Sequence, residues 1–207
     1  MKTQLTTLLA LVGFATAVIA APETFDFKDP KGINNAGFKL DAPLESINGA
    51  ASGISGTVTF DPANPAATTG KIVVAANTLT LPNNMQQGHM RSAMWLDVAK
   101  YPEITFEAKE VKNAKTDGDI TTADVTGTFT CKGVSKEMTV PVKFTYLKDK
   151  LGERMKGMPN AKEGDLLVIR ANFSIKRSDF NINPGQMDDK VSEQINLTLS
   201  IAGASPK

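Results

Sequence analysis

Two side chains of this sequence could take part in acid–base or nucleophilic chemistry, and each is the only one of its type. His89 could act as a general acid or base, and Cys131 could form a thiol–imidazole pair with it. A Ser-His-Asp triad would also have to use His89, but no G-x-S-x-G motif stands at a predicted strand-to-helix turn. Because Cys131 continues the apolar alternation that contains Phe129, the pattern favours a small buried residue. An enzyme that acts on a lipid through His89 or Cys131 is therefore the least favoured of three hypotheses for this chain.

The sequence contains few residues that could bind a metal ion or a cofactor. One histidine and one cysteine do not supply the clustered ligands of a zinc site. The acidic segments 117–119 and 188–189 stand in turns, and neither extends into a calcium-binding loop. No C-x-x-C-H motif, phosphate-binding loop or dinucleotide fingerprint is present, although haem held by His89 and a methionine stays open. We predict no catalytic residue, no metal and no cofactor other than a bound polyprenyl or quinone lipid.

The N-terminal residues and the charge balance limit the class of protein. Residues 1–20 have the layout of a secretory signal peptide, with Lys2, an apolar run over residues 8–19 and then small residues. We predict cleavage after Ala20, one domain over residues 21–207, and no membrane span. Without Lys2 the chain has 22 basic and 22 acidic residues, which argues against a nucleic-acid-binding protein.

Apolar and polar residues alternate along most of the chain, which is typical of strands with one buried face. The predicted strands are 125–131, 138–146, 167–175 and 195–201, shorter ones at 54–60, 72–79 and 104–108, and weaker ones at 25–27 and 38–40. Turn-forming segments at 61–70, 115–119 and 131–136 predict hairpins, whose strands are antiparallel. We therefore predict an all-β fold of about eight strands, either a sandwich or a closed barrel.

The segment around the only tryptophan departs from this alternation. Met90, Ala93, Met94 and Val98 fall at helical spacing, and Pro102 ends the pattern. We predict a short helix near residues 85–98 whose methionine face is inserted between the strands. Together with eight methionines and ten phenylalanines in the chain, this arrangement indicates a cavity for a flexible apolar ligand.

Three segments carry a resemblance to a known family. They are HMRSAMWLDVAKYPEITFEAKEV at 89–111, DVTGTFTCKGVSKEMTVPVKF at 124–144 and FSIKRSDFNI at 173–182. In order and spacing they resemble the signatures of the YceI-like family of exported, lipocalin-like proteins, and the likeness covers about residues 54–202. The resemblance implies a closed antiparallel β-barrel with a long pore, a periplasmic location, and binding of isoprenoid chains without catalysis.

The sequence departs from the family pattern at several histidines. Residues 32–49 lack the two histidines and the tryptophan that usually stand there, and Cys131-Lys132 replaces a frequent histidine before the glycine. Head-group contacts made by those histidines in other members are therefore not carried over to this chain.

The inward-facing positions and the resemblance together predict an apolar pore. Its predicted lining is Met90, Met94, Trp95, Phe106, Phe129, Val140, Val142, Phe144, Phe173, Ile175, Phe180 and Ile182. We predict a structural role for His89, as a capping or hydrogen-bonding group. Arg91 and Asp97 are predicted to tie the helix to neighbouring strands, through Arg177 or Asp179.

The leading hypothesis is a periplasmic carrier for a long-chain isoprenoid, an isoprenoid quinone or another long-chain lipid. The second is a non-enzymatic interaction or stress-response protein that docks on a membrane electron-transfer partner, with a barrel that is merely a filled core. A barrel with an exposed rim could also pair as a homodimer.

Overall fold

A computed structural model describes residues 21–207, so the predicted signal peptide at residues 1–20 lies outside the described part of the chain. Within residues 21–207, ten strands form one antiparallel sheet. The strands are β1 (Glu23–Asp26), β2 (Asn35–Asp41), β3 (Ser46–Ala51), β4 (Ile54–Phe60), β5 (Thr69–Ala75), β6 (Glu103–Asp117), β7 (Ile120–Cys131), β8 (Val134–Leu147), β9 (Gly164–Lys176) and β10 (Gln194–Pro206). Two short α-helices accompany them, α1 (Asn84–Arg91) and α2 (Leu151–Arg154), together with three 3₁₀ turns at Pro65–Ala67, Ala76–Thr78 and Ser178–Phe180. Neither of these helices is long and apolar enough to cross a bilayer.

The sheet closes on itself. Its neighbours run β1-β4-β5-β6-β7-β8-β9-β10, and β10 pairs back with β1 through Ala204 and Asp26. The hairpin β2-β3 pairs with residues 196–200 of the same β10 edge and reaches the segment after β5 through hydrogen bonds between Ala50 and Thr80. The predicted closed antiparallel barrel of about eight strands is confirmed.

The strands form where one face of the alternation is apolar, and two of them show where that rule fails. β6 extends to Asp117, well beyond the predicted end at Ala108. A β-bulge between Ala108 and Glu110 shifts the register and interrupts the alternation, so the sequence pattern stops there although the strand continues. The alternation does not predict β3, whose sequence SINGAA contains mostly small residues. Pairing with β2, not local propensity, holds β3 in the sheet.

α1 is shorter than the predicted helix near residues 85–98. Asn83 starts it by accepting hydrogen bonds from the backbone of Met85 and Gln86. It ends at Arg91, because Ser92 is extended and its hydroxyl donates to the carbonyl of the helix's last turn.

The chain folds back after α1 instead of continuing along the helix axis. The amide of Leu96 donates to the carbonyl of Met90, and that of Val98 donates to the carbonyl of Arg91. Met94 therefore lies in a turn and is 65% exposed, and the prediction that it faces the barrel interior is wrong.

One end of the barrel is filled with side chains. Five residues there are at most 2% exposed, namely Phe25, Phe27, Phe60, Leu167 and Ile201. The ring of Phe60 stacks on that of Phe144, with centroids 5.4 Å apart. The tightly packed apolar core of the protein therefore lies in this half of the barrel.

Candidate binding cavity

The other half of the barrel encloses a cavity of about 650 Å³. Side chains from β2 to β10 form its wall, and α1 lies at its mouth. Pockets for small molecules in proteins commonly have this size and an apolar wall with few polar groups. The barrel is therefore hollow at one end and filled at the other.

Ten of the twelve predicted pore residues line this cavity. They are Met90, Trp95, Phe106, Phe129, Val140, Val142, Phe144, Phe173, Ile175 and Ile182. Period-two alternation located those on strands, because alternate residues point to the same face of a sheet. Their contact with a ligand stays a prediction.

The other two predicted pore residues lie elsewhere. Met94 is at the surface after α1, as described above. Phe180 is buried beside the wall, packed edge to face on Phe129 with ring centroids 5.3 Å apart. It supports a cavity residue without being part of the lining.

Sequence reasoning missed the part of the wall that comes from the hairpin β2-β3, from β5 and from the segment that follows β5. These residues include Phe38, Leu40, Ile47, Ile72, Val74 and Leu79. The alternation of Phe38 and Leu40 in β2 is a signal that could have found two of them. Residues of β3 carry no such signal, because only the β2 pairing turns Ile47 toward the cavity.

The mouth of the cavity is built from three segments that are far apart in sequence. The backbone amide of Leu44, before β3, donates to the carbonyl of Asp189 at 2.9 Å. The side-chain amide of Gln86 in α1 donates to the carboxylate of Glu45 at 3.4 Å. The exposed side chain of Lys190 also borders the cavity here. Glu45, Gln86 and Lys190 thus place polar and charged groups where a ligand's head group would lie.

Arg177 is fully buried at the wall of the cavity and organises the loop between β9 and β10. Its guanidinium donates to five backbone carbonyls and to the carboxylate of Asp188, at 2.6 Å. The five carbonyls belong to Ile182, Asn183, Gln186, Val191 and Ser192. A buried guanidinium is stable when its donors are paired in this way.

The predicted ties of the helix segment go to other partners. Arg91 donates twice to the carbonyl of Leu79, at 3.1 and 2.5 Å, and so fixes α1 to the segment that follows β5. Asp97 acts through its backbone, with a left-handed φ of 50° and a carbonyl that accepts two amides of the next turn. Asp179 pairs with Lys136 of β8. The predicted links of Arg91 and Asp97 to Arg177 or Asp179 are therefore wrong, because the fold-back after α1 brings the Arg91 guanidinium to the Leu79 carbonyl and uses the Asp97 carbonyl as an acceptor within the turn.

His89 lies on α1 with an exposed side chain that borders the mouth of the cavity. Its backbone carbonyl accepts hydrogen bonds from the amide and the hydroxyl of Ser92. The backbone of His89 thus takes part in ending the helix, and the structural role of its imidazole stays a prediction.

Cys131 lies on the cavity wall and is buried, as the alternation predicts. Burial raises the pKa of the Cys131 thiol to about 12, although the nearby Lys132 charge opposes the shift. A neutral thiol is a poor nucleophile, so this environment does not favour the hypothesis of a reactive cysteine.

Comparison with known protein families identifies the chain. A family model for the YceI-like domain matches residues 31–202, which includes nearly the whole barrel. The chain belongs to the YceI-like family. A curated UPF0312 protein of Yersinia pestis (strain Pestoides F) is 32% identical over 162 residues, which cover 78% of this chain and 75% of the relative.

Solved structures show that other proteins share this YceI-like barrel. BcnA of Burkholderia cenocepacia matches with a TM-score of 0.62 and 22% identity, over 82% of this chain and 94% of BcnA. A polyisoprenoid binding domain from Saccharophagus degradans, implicated in plant cell wall breakdown, matches with a TM-score of 0.62 and 12% identity. The match covers 90% of this chain and 100% of that domain. At these identities the likeness shows a common fold.

Proposed function

We propose that this YceI-like protein is a carrier that holds one long apolar chain inside its barrel without transforming it. The ligand is an isoprenoid, an isoprenoid quinone or another long-chain lipid. The observation that carries this proposal is the cavity itself, whose wall is built from aliphatic and aromatic side chains. Burial of an apolar chain against such a wall removes it from water and is the main source of affinity.

The relatives support the same proposal. The Saccharophagus degradans domain, which shares the fold, is described as polyisoprenoid binding. The alternative of a docking protein expects a barrel filled throughout by its own side chains, whereas half of this barrel is hollow. The layout of residues 1–20 supports export, and we place the carrier in the periplasm.

Native mass spectrometry tests this function on protein purified from its own periplasm without detergent. We expect a discrete mass above that of the polypeptide, which organic solvent extracts as a polyprenyl, quinone or other long-chain lipid. A bare polypeptide mass that stays unchanged after incubation with quinones and long-chain lipids would contradict the proposal.

A further inference from the structure

The cavity has a closed apolar end, and that end is formed by the protein's core. Phe144 and Ile169 line the deep part of the cavity and also belong to the filled half of the barrel. Behind them lie the fully buried rings of Phe25, Phe27 and Phe60. Side chains packed at this density leave no passage for a ligand tail.

The polar groups of the barrel are divided between its two ends. Beyond the aromatic floor, the hydroxyl of Tyr146 donates to Asp165 at 2.6 Å, and the Lys207 ammonium donates to the same carboxylate at 2.8 Å. At the other end, Glu45 and Lys190 border the mouth. A chain with a polar head and an apolar tail is therefore accommodated with its tail toward the floor and its head at the mouth.

We infer that this floor limits the length of chain that the cavity can hold. The ligand class is a chain with a polar head and with about four isoprene units inside the barrel. This inference rests on the proposed function. With roughly 30 Å³ per methylene-sized group, the liquid volume of a water molecule, the 650 Å³ cavity holds about 20 chain atoms. Along β7 the wall runs from Val125 to Cys131, roughly 20 Å of strand. Units beyond that number remain outside the mouth.

Ala108 is the position at which the depth of the cavity can be changed. It lines the cavity, and its partners across the sheet are Gly70 of β5 and Gly127 of β7. The side chains of Phe106 and Val58 already lie over Gly127 and Gly70, so a larger residue at 108 is directed into the cavity that Ala108 lines. Ala108→Phe adds six carbon atoms there, about the size of one isoprene unit.

The experiment measures the dissociation constants of isoprenoid alcohols with two, three, four, six and nine units. Trp95 is the only tryptophan and lines the cavity, so its fluorescence reports occupancy. We expect affinity to rise by at least about tenfold per added unit up to about four units, and by less than about threefold in total beyond that. In Ala108→Phe the plateau begins about one unit earlier, whereas Glu107→Phe, on the outer face of the same strand, leaves it unchanged.

Each other outcome has a definite meaning. If affinity keeps rising through nine units, the cavity does not measure length, although the carrier function stands. If Ala108→Phe folds, as judged by its circular dichroism, and keeps the wild-type plateau, the position of the floor is wrong. If no alcohol binds at any length, the length limit and the isoprenoid form of the proposed function both fail, and only another long-chain lipid found by native mass spectrometry would keep the carrier function.

Discussion

The guanidinium carbon of Arg177 lies 5.5 Å from the centroid of the Trp95 ring. Trp95 belongs to the turn after α1, and Arg177 follows β9, so this contact joins two of the three segments that resemble the family signatures. Cation–π contacts of this kind are stronger when the cation is desolvated, as Arg177 is here. The pair therefore links the loop before β10 to the wall of the cavity.

Replacement of Arg177 by lysine should destabilise the protein strongly. An ammonium has three donors without the planar fork of a guanidinium, so several of the five carbonyls and Asp188 would lose their partner. We expect the free energy of unfolding to fall by about 3 kcal/mol or more, measured by urea denaturation. Arg170→Lys, at an exposed position of β9, should change it by less than about 0.5 kcal/mol. A loss below about 1 kcal/mol for Arg177→Lys would contradict the structural role of the fork.

An arginine at position 129 should empty the cavity. Phe129 faces the cavity and packs edge to face on Phe173, with centroids 6.0 Å apart. A charge there would make burial of an apolar chain unfavourable. We expect Phe129→Arg to lose bound lipid in native mass spectrometry, whereas Thr128→Arg, which points to the outer face, retains it. Folded Phe129→Arg protein with full lipid occupancy would show that the chain does not bind here.

Replacement of His89 by glutamine should leave ligand occupancy nearly unchanged. The His89 side chain is exposed at the mouth, and its contribution to helix termination is made by the backbone carbonyl. The adjacent Met90 is half-buried against Leu79, so Met90→Asp should lower the affinity for an isoprenoid alcohol by at least about tenfold. Fluorescence titration of both variants makes the comparison. A large loss in His89→Gln would instead point to direct contact between the imidazole and the ligand.

The Cys131 thiol should react slowly in the folded protein. Burial raises its pKa to about 12, so the thiolate is scarce at neutral pH and the reagent has little access. We expect an aromatic disulfide reagent to label Cys131 at least about 100-fold more slowly at pH 7.5 than in urea-unfolded protein. Equal rates in the two states would reopen the hypothesis of a reactive cysteine.

The buried carboxylate at the filled end should make stability depend on acid pH. Burial by itself would raise the pKa of Asp165, but hydrogen bonds from Lys207, Tyr146 and the Asp149 amide outweigh it and lower the pKa from 3.8 to about 2. Since the folded pKa lies below that of the unfolded chain, this stabilisation is present above about pH 4 and is lost as the pH falls toward 2.

Comparison of the wild type with Asp165→Asn isolates that contribution. We expect the difference in their free energies of unfolding to shrink by about 2 kcal/mol between pH 5 and pH 2. Burial and the Asp165 charge raise the pKa of Glu23. Protonation of Glu23 at acid pH therefore offsets part of the stability that the wild type loses through Asp165. Asp117→Asn, an exposed change, should show no such trend. A difference that is constant with pH would mean that Asp165 titrates alike in both states.

Much of the cavity wall could be predicted from the sequence, because a strand places alternate residues on one face. The alternation in β7, β8 and β9 located Phe129, Val142 and Phe173 without any knowledge of their neighbours. Helical spacing could not locate the end of α1, because Met94 keeps that spacing although Ser92 turns the chain back. Strand alternation could not locate β3, whose small residues are held by pairing with β2.

The sequence by itself determined that the chain is an all-β protein of the YceI-like family and which strands have an apolar face. Only the tertiary structure decided that one half of the barrel is filled by Phe25, Phe27 and Phe60 while the other is hollow. It also decided that Arg177 binds its own loop. The physical reason is that alternation determines which side chains point inward, whereas the space that remains between them depends on how eight strands pack around a common axis.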